Sequence, residues 1–252
     1  MDINFKKQSG LSLIELMIAS TLSLIIIGGV VQVFVGTKAT YITTENIGRA
    51  QENGRFAIDV LSRYTRIAGY WDYNTNDSTP EPFVPDCATA GDPCSQDGTG
   101  NNNSDRLAIQ FDAPDNLDCN GQTPSANRVL SNVFWVQDDG FGVSSLYCRG
   151  FDQATNTWLG TAQPYISGID SMQLLYGIQD NTGSVTNYVN ASRVTNWSDI
   201  RAIKISILAQ SGTTGSANFD DRTYVLLDSA PLTFTDGQAR YIFSTTFFVS
   251  NT

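Results

Sequence analysis

One carboxylate, Glu15, stands at the start of a long stretch without charge. From Leu16 to Gly36 the sequence contains no Asp, Glu, Lys or Arg. A helix over this stretch, at about 1.5 Å per residue, is long enough to cross the ~30 Å hydrocarbon core of a membrane. A carboxylate at that boundary costs about 2–3 kcal/mol even on lenient insertion scales, so it needs a compensating positive group. The position therefore predicts an ion pair, whose best-documented use is to set register between subunits. The alternative is an interfacial glutamate at the end of a plain signal anchor.

Catalytic chemistry has little support in the rest of the chain. The 252 residues include no histidine, which is the commonest general base and metal ligand. The sequence also lacks a nucleophile elbow, a P-loop and a dinucleotide-binding motif. Asp138-Asp139 and Asp220-Asp221 are adjacent carboxylates, and neighbours on a strand point to opposite faces, so we interpret them as turn and surface residues. We expect no enzyme activity, no cofactor and no metal site.

The charge balance argues against nucleic acid as a direct partner. The formal net charge is −10 and the isoelectric point is near 4.3. A chain that neutralises phosphates needs a basic stripe, and the sequence shows none. Hydrophobic residues at 41% and charged residues at 16% are typical of a globular protein, and the length suits one sizeable domain with an appended element.

The four cysteines are Cys87, Cys94, Cys119 and Cys148. No two of them form the Cys-x-x-Cys spacing that is usual in zinc sites. An even number in an exported chain indicates two disulfides, for which three connectivities exist. We favour Cys87 with Cys94 and Cys119 with Cys148, because neighbours in sequence close first and the first loop is rich in turn-forming residues. The alternative is four buried free thiols.

The residues before the apolar stretch form a separate polar leader. Residues 1–10 include Lys6 and Lys7, which should keep this end cytoplasmic by the positive-inside bias. An ordinary secretory signal has a shorter apolar run that ends at a cleavage site of small residues. Here the apolar stretch continues into a helical pattern, so we expect the processing signal to lie before it, at Ser9-Gly10-Leu11.

A single N-terminal helix is predicted over residues 11–69, with its transmembrane part at about 16–36. Beyond the membrane, apolar residues recur at three- and four-residue spacing: Ala57, Val60, Leu61, Tyr64, Ile67 and Ala68. Gly69 supplies a stop signal. Several glycines weaken the helix by about 1 kcal/mol each, which leaves two interpretations open. These glycines are Gly28, Gly29, Gly48 and Gly54. Either they permit close helix packing in the membrane, or they mark a segment that unwinds when the subunit leaves the bilayer.

The remaining residues, 70–252, are predicted to form a β-rich head. Residues 72–105 hold seven acidic residues and no Lys or Arg, which indicates a solvated surface loop. A calcium site is the alternative, although the loop does not match an EF-hand. Strand alternation follows, at Leu107, Ile109 and Phe111, at Ile203, Ile205 and Ile207, and over 241–249. The predicted fold class is α+β, with the long N-terminal helix packed on an antiparallel sheet.

The segment Gly10-Leu11-Ser12-Leu13-Ile14-Glu15-Leu16 resembles the type III signal of type IV prepilins and type II secretion pseudopilins. In that family prepilin peptidase cuts after the glycine, and the new N-terminal residue is methylated. The resemblance implies that Leu11 is this residue, where the family more often has Phe or Met, and that Glu15 is the family's glutamate at the fifth mature position. It also implies the positive partner of Glu15, namely the α-amino group that cleavage creates on a neighbouring subunit.

Several segments beyond the transmembrane stretch resemble those of the PilW family of minor pilins. The segments that carry the resemblance are residues 51–57 (QENGRFA), 66–70 (RIAGY), 169–174 (IDSMQL), 200–205 (IRAIKI) and 240–246 (RYIFSTT). The match covers residues 1–70 and about 165–250, and the middle only loosely. Segments around Cys119 and Cys148 also fit, which supports pairing these two cysteines. Where members of the family usually have Arg-Asn near the C-terminus, this sequence has Ser250-Asn251. No role of that arginine therefore carries over.

The resemblance implies a minor pilin that helps to initiate a type IV pilus or is incorporated into it. Its partners would be other minor pilins, the major pilin, prepilin peptidase and the inner-membrane assembly platform. The chain would cross the inner membrane once, with its head in the periplasm or carried into a cell-surface pilus. One alternative is a minor pseudopilin of type II secretion, whose J-type member resembles this family and which gene neighbourhood would distinguish. Another is an adhesive or ligand-binding tip module, which needs an exposed aromatic or acidic pocket on the head.

Overall fold

The computed structural model describes most of the chain between Gly10 and Asn251. The described residues are 10, 12–72, 74, 79–87, 94–113, 115, 117–124, 129–140, 142–214 and 222–251. They form one long helix and a head of antiparallel sheets, which confirms the predicted α+β class.

Helix α1 spans Leu13–Ile67, which is 55 residues and about 83 Å. Ser12 precedes it in an extended conformation. Gly69, at φ +72°, ends it with the left-handed turn that glycine accommodates best. The helix continues without a break through all of its glycines. A Cβ atom added at Gly28, Gly29 or Gly48 would have no neighbour within 4 Å.

The second half of α1 packs its buried face against the sheet strands of the head. This face consists mainly of small or polar side chains at three- and four-residue spacing: Asn46, Ala50, Gly54, Ala57, Leu61 and Thr65. Small side chains let the helix backbone approach the sheet closely. The contact is tightest at Gly54, where an added Cβ would overlap the ring of Phe243. Gly54 is therefore needed for helix–sheet packing inside the head.

Two alanine substitutions on α1 should have opposite effects on stability. Gly54→Ala should destabilise the head by about 1–3 kcal/mol, because the Phe243 ring must shift to admit the methyl group. Gly48→Ala, at an exposed site with open space, should stabilise the protein by about 0.5–1 kcal/mol through helix propensity. Denaturant unfolding of the full chain in detergent micelles measures both. Equal stability of the two variants would contradict the packing role of Gly54.

In the described part of the chain, eleven strands form two larger antiparallel sheets and one small hairpin. The first sheet has the order β1-β2-β3-β4, with β5 also pairing with β3, and the second has the order β11-β8-β6-β7. Strands β9 and β10 pair with each other. The strands are β1 Leu107–Asp112, β2 Val129–Asp138, β3 Ser144–Asp152, β4 Thr157–Trp158, β5 Gln163–Ser167, β6 Ile169–Gln179, β7 Val185–Val189, β8 Ile200–Thr214, β9 Arg222–Tyr224, β10 Leu232–Phe234 and β11 Gln238–Phe248. Short 3₁₀ turns lie at Asn101–Asn103, Ala191–Arg193 and Trp197–Asp199.

The main core lies between α1 and the two larger sheets. The alternating residues predicted for β1 and β8 are all buried in it, since each strand turns one face to the helix side: Leu107, Ile109, Phe111, Ile203, Ile205 and Ile207. Helix residues Ala57 and Leu61 belong to the same cluster. The period-two pattern therefore identified the inward faces of both strands.

The cysteines form the disulfides Cys87–Cys94 and Cys119–Cys148, the two pairs expected from the sequence. Cys148 lies on β3 within the main core, so the second disulfide ties the segment before β2 to the middle of the first sheet. The first disulfide belongs to a smaller buried cluster beside that sheet. It closes a loop whose residues 88–93 lie outside the described part of the chain.

Residues 72–105 are only partly the solvated loop that the sequence predicts. Phe83 and Cys94 are fully buried, and Asp105 is almost fully buried. The Asp105 carboxylate accepts the N–H groups of Gly98, at 2.8 Å, and Leu174, at 2.7 Å. Burial raises the pKa of Asp105 to about 8. The prediction was wrong for Asp105, because acidic composition does not reveal which carboxylate will be buried and hydrogen-bonded to the backbone of a neighbouring strand.

The other carboxylate patterns support turns. Asp138 accepts the N–H of Gly140, and Asp139 accepts that of Val143, in the turn between β2 and β3. Asp220 and Asp221 lie outside the described residues. Within the described ranges, no group of three or more His, Cys, Asp or Glu side chains is placed to hold a metal ion.

Candidate assembly site on the N-terminal helix

The predicted processing point lies just ahead of α1. Gly10 is exposed, and Ser12 is exposed and extended, with φ −68° and ψ 144°. Leu11, the predicted first residue of the processed chain, and the leader residues Lys6 and Lys7 lie outside the described residues. The helix begins only at Leu13, so the two described residues that flank Leu11 have non-helical, solvent-accessible backbone.

Glu15 lies in the first turn of α1 with its side chain exposed. Its carboxylate accepts the backbone N–H of Ser12 at 3.0 Å. The first N–H groups of a helix have no partner within the helix, and a negative charge there also interacts favourably with the helix dipole. Glu15 therefore has a role within its own subunit that the sequence analysis missed. The spacing Ser12-x-x-Glu15, a capping-box pattern, could have revealed it.

The first half of α1 presents apolar side chains in every direction. Fifteen large apolar side chains between Leu13 and Val35 are 54–77% exposed. No residue of α1 before Asn46 is buried. This is the one helix in the described chain that is long and apolar enough to cross a membrane. Because so much exposed apolar surface is unfavourable in water, this half needs a membrane or neighbouring apolar helices around it.

The outward face of the second half of α1 is charged. Glu45 pairs with Arg49 and Asp59 pairs with Arg63, each at 2.7 Å and one helical turn apart. All four side chains are exposed, so each pair contributes only about 0.3–0.5 kcal/mol to stability. The helix thus changes from apolar on all sides to amphipathic, with its charged side directed away from the head.

The end of the chain fastens the head to α1. The Nδ2 amide of Asn251 donates hydrogen bonds to the carbonyl oxygens of Arg66 and Ala68, both at 3.1 Å. These are among the last carbonyls of the helix, which have no partner within it. The Asn251 carbonyl also lies against Gly69, where an added Cβ would collide with it. No role of Asn251 could be predicted from the sequence, because its partners lie more than 180 residues earlier in the chain.

A buried ion pair connects β6 with β11. The Arg240 guanidinium contacts the carboxylate of Asp170 at 2.5 Å, and the side chains of both residues are almost inaccessible to solvent. Arg240 also binds Asp236 through two nitrogens, and these hydrogen bonds lower the pKa of Asp236. Asp170 and Arg240 belong to two of the segments that carried the sequence resemblance. The fold brings them together across 70 residues of chain.

Both ends of the chain match family models. Residues 5–31 match the prokaryotic N-terminal methylation motif, a range that includes Gly10, Leu11 and Glu15. Residues 133–251 match the family described as type IV pilus-assembly protein W, a range that includes Asp170, Arg240 and Asn251. No curated protein matches the sequence. A solved type IV-like pilin from Thermus thermophilus is similar at 16% identity and a TM-score of 0.46, over 81% of this chain and 97% of that one.

Proposed function

Because residues 133–251 match the family described as type IV pilus-assembly protein W and residues 5–31 match the N-terminal methylation motif, we propose that the chain belongs to this family. It would be a minor pilin that helps to initiate the pilus or is incorporated into it. Prepilin peptidase would cut it between Gly10 and Leu11 and leave a methylated N-terminus. The protein would then work through assembly with other subunits, without catalysis of its own.

The contrast between the two halves of α1 carries this proposal. The half before Val35 exposes apolar side chains on all sides, whereas the half after Asn46 packs into the head. A subunit built in this way can be stored in a membrane and then transferred to a bundle of similar helices, since both surroundings bury the same surface. The proposed partners are accordingly other minor pilins, the major pilin and the inner-membrane assembly platform.

The proposed orientation follows from the leader. Lys6 and Lys7 precede the apolar half, so the positive-inside bias puts the leader in the cytoplasm and the head in the periplasm. The two disulfides support this placement, because the periplasm is an oxidising compartment. In this orientation Glu15 lies near the cytoplasmic boundary of the membrane.

Intact-mass spectrometry tests the processing step. Cleavage should remove Asp2, Lys6 and Lys7 with the leader, which leaves 24 acidic and 13 basic residues and a formal charge of −11. Cells without prepilin peptidase are the control and should retain the full mass. An unprocessed chain in peptidase-positive cells would contradict the proposal.

Mass spectrometry of sheared pili and of membranes tests the proposed location. The processed chain should be found with pilus subunits in the sheared fraction, or bound to other minor pilins in the membrane fraction after crosslinking. Crosslinking to secretion subunits alone would instead support a type II secretion pseudopilin.

A further inference from the structure

A pocket of about 480 Å³ lies where the end of α1, the start of β8 and the end of the chain meet. Its volume falls within the usual range for small-molecule sites. The lining includes two aromatic side chains, a carboxylate, a guanidinium, a hydroxyl and an amide: Tyr70, Trp71, Glu81, Arg201, Ser198 and Asn251. Nothing in the proposed assembly role uses this pocket.

The aromatic wall of the pocket is held by backbone hydrogen bonds. The Tyr70 N–H bonds to Ile67 O at 2.9 Å, and the Tyr70 carbonyl accepts the N–H of Asp112 at 2.8 Å. The Gly69 N–H bonds to Gln110 O at 2.8 Å, so the turn that leads into this wall is also fixed. The backbone at Gly69 and Tyr70 is therefore in place before any ligand arrives, which lowers the entropic cost of binding.

The polar wall is fixed in a similar way. One guanidinium nitrogen of Arg201, Nη1, donates to the carbonyls of Ser198, at 2.8 Å, and Ile200, at 3.0 Å. Asn251 is held by its two hydrogen bonds to the end of α1. An arginine that is anchored through one nitrogen keeps further N–H groups on the same rigid plane that can face the pocket.

The mixture of groups selects the chemistry of the ligand. The lining carries one carboxylate, on Glu81, and one guanidinium, on Arg201, so it has no net charge that would favour an anion or a cation. A purely apolar ligand would leave these charged groups desolvated and without partners. A pyranose ring offers hydroxyl groups that both donate and accept, and C–H groups that suit the electron-rich face of an aromatic ring. We propose that this pocket binds a neutral saccharide unit.

Ligand-observed NMR with methyl glycosides tests the proposal. The full chain in micelles of lauryldimethylamine oxide, which has no sugar head group, is titrated with three probes. These are methyl α-glucopyranoside, methyl β-galactopyranoside and methyl N-acetyl-β-glucosaminide. At least one glycoside should give a saturation-transfer signal that levels off as its concentration rises. The dissociation constant should be on the order of 1 mM, as expected for a ligand of this size. Failure of all three to saturate would overturn the proposal.

Two variants and a matched control place the binding in the pocket. Trp71→Ala should weaken binding at least tenfold, and so should Glu81→Gln, which changes an exposed side chain without changing its size. Glu52→Gln, on the outer face of α1, should leave binding unchanged. An unchanged near-UV circular dichroism spectrum of Glu81→Gln keeps the test independent of folding. Binding that survives both pocket variants, or binding of a proline hexapeptide but no glycoside, would refute a saccharide site.

Discussion

Glu15→Ala should leave export, cleavage and folding of the head intact, and should abolish assembly of the chain into pili. The proposed partner of Glu15 is the α-amino group that processing creates on a neighbouring subunit. Loss of one member of such a pair leaves the other charge buried without compensation, a penalty of about 3–5 kcal/mol. The alanine variant also loses the hydrogen bond from the Ser12 N–H to the Glu15 carboxylate, which closes the first turn.

Glu15→Gln separates the two roles of this residue. Glutamine can still accept the Ser12 N–H, as capping boxes with glutamine do, but it carries no charge. If the ion pair dominates, the glutamine variant should resemble the alanine variant. Normal pilus numbers with glutamine would mean that hydrogen bonding or packing matters, and the ion-pair mechanism would be wrong.

The measurement should count pili per cell and quantify co-purified minor subunits, because bulk motility hides a partial defect. Glu45→Gln is the matched control. It removes a carboxylate from the same helix, but one whose exposed pair with Arg49 contributes little. The Glu45→Gln variant should show normal numbers of pili per cell and normal amounts of co-purified minor subunits. A similar defect in Glu15→Gln and Glu45→Gln would point to a general effect of charge on the helix.

Arg240→Met should destabilise the head by about 3–5 kcal/mol, the largest expected effect within the folded subunit. The side chains of Arg240 and Asp170 are only 3% and 4% exposed. Methionine fills similar space but leaves the Asp170 carboxylate buried without its partner. Denaturant unfolding of the full chain in micelles, with fluorescence of the head tryptophans as the signal, measures the loss.

Arg63→Met is the control for Arg240→Met, because it breaks an ion pair of the same type on the surface. Arg63 and Asp59 are 76% and 52% exposed, so its loss should cost at most about 0.5 kcal/mol. Combining Arg240→Met with Asp170→Leu should recover part of the lost stability, since a buried pair replaced by apolar groups is often tolerated. Equal effects of Arg63→Met and Arg240→Met would contradict the importance of burial.

The features of this protein that could be predicted from its sequence are local ones. The charge-free stretch and Glu15 at its boundary depend on neighbours within a few helical turns. Helix α1 and the inward faces of β1 and β8 follow from periodicity in the same way. The disulfides Cys87–Cys94 and Cys119–Cys148 each join two cysteines that follow one another in the order of the four cysteines.

Only the tertiary structure decided which distant residues meet. Asn251 binds the carbonyls of Arg66 and Ala68, more than 180 residues earlier. Gly54 lies against Phe243, and the Asp105 carboxylate accepts a hydrogen bond from the N–H of Leu174. The saccharide pocket likewise combines residues from four separate segments. Composition and spacing contain no information on such contacts, because they arise when strands distant in sequence become neighbours and bury polar groups that must then find partners.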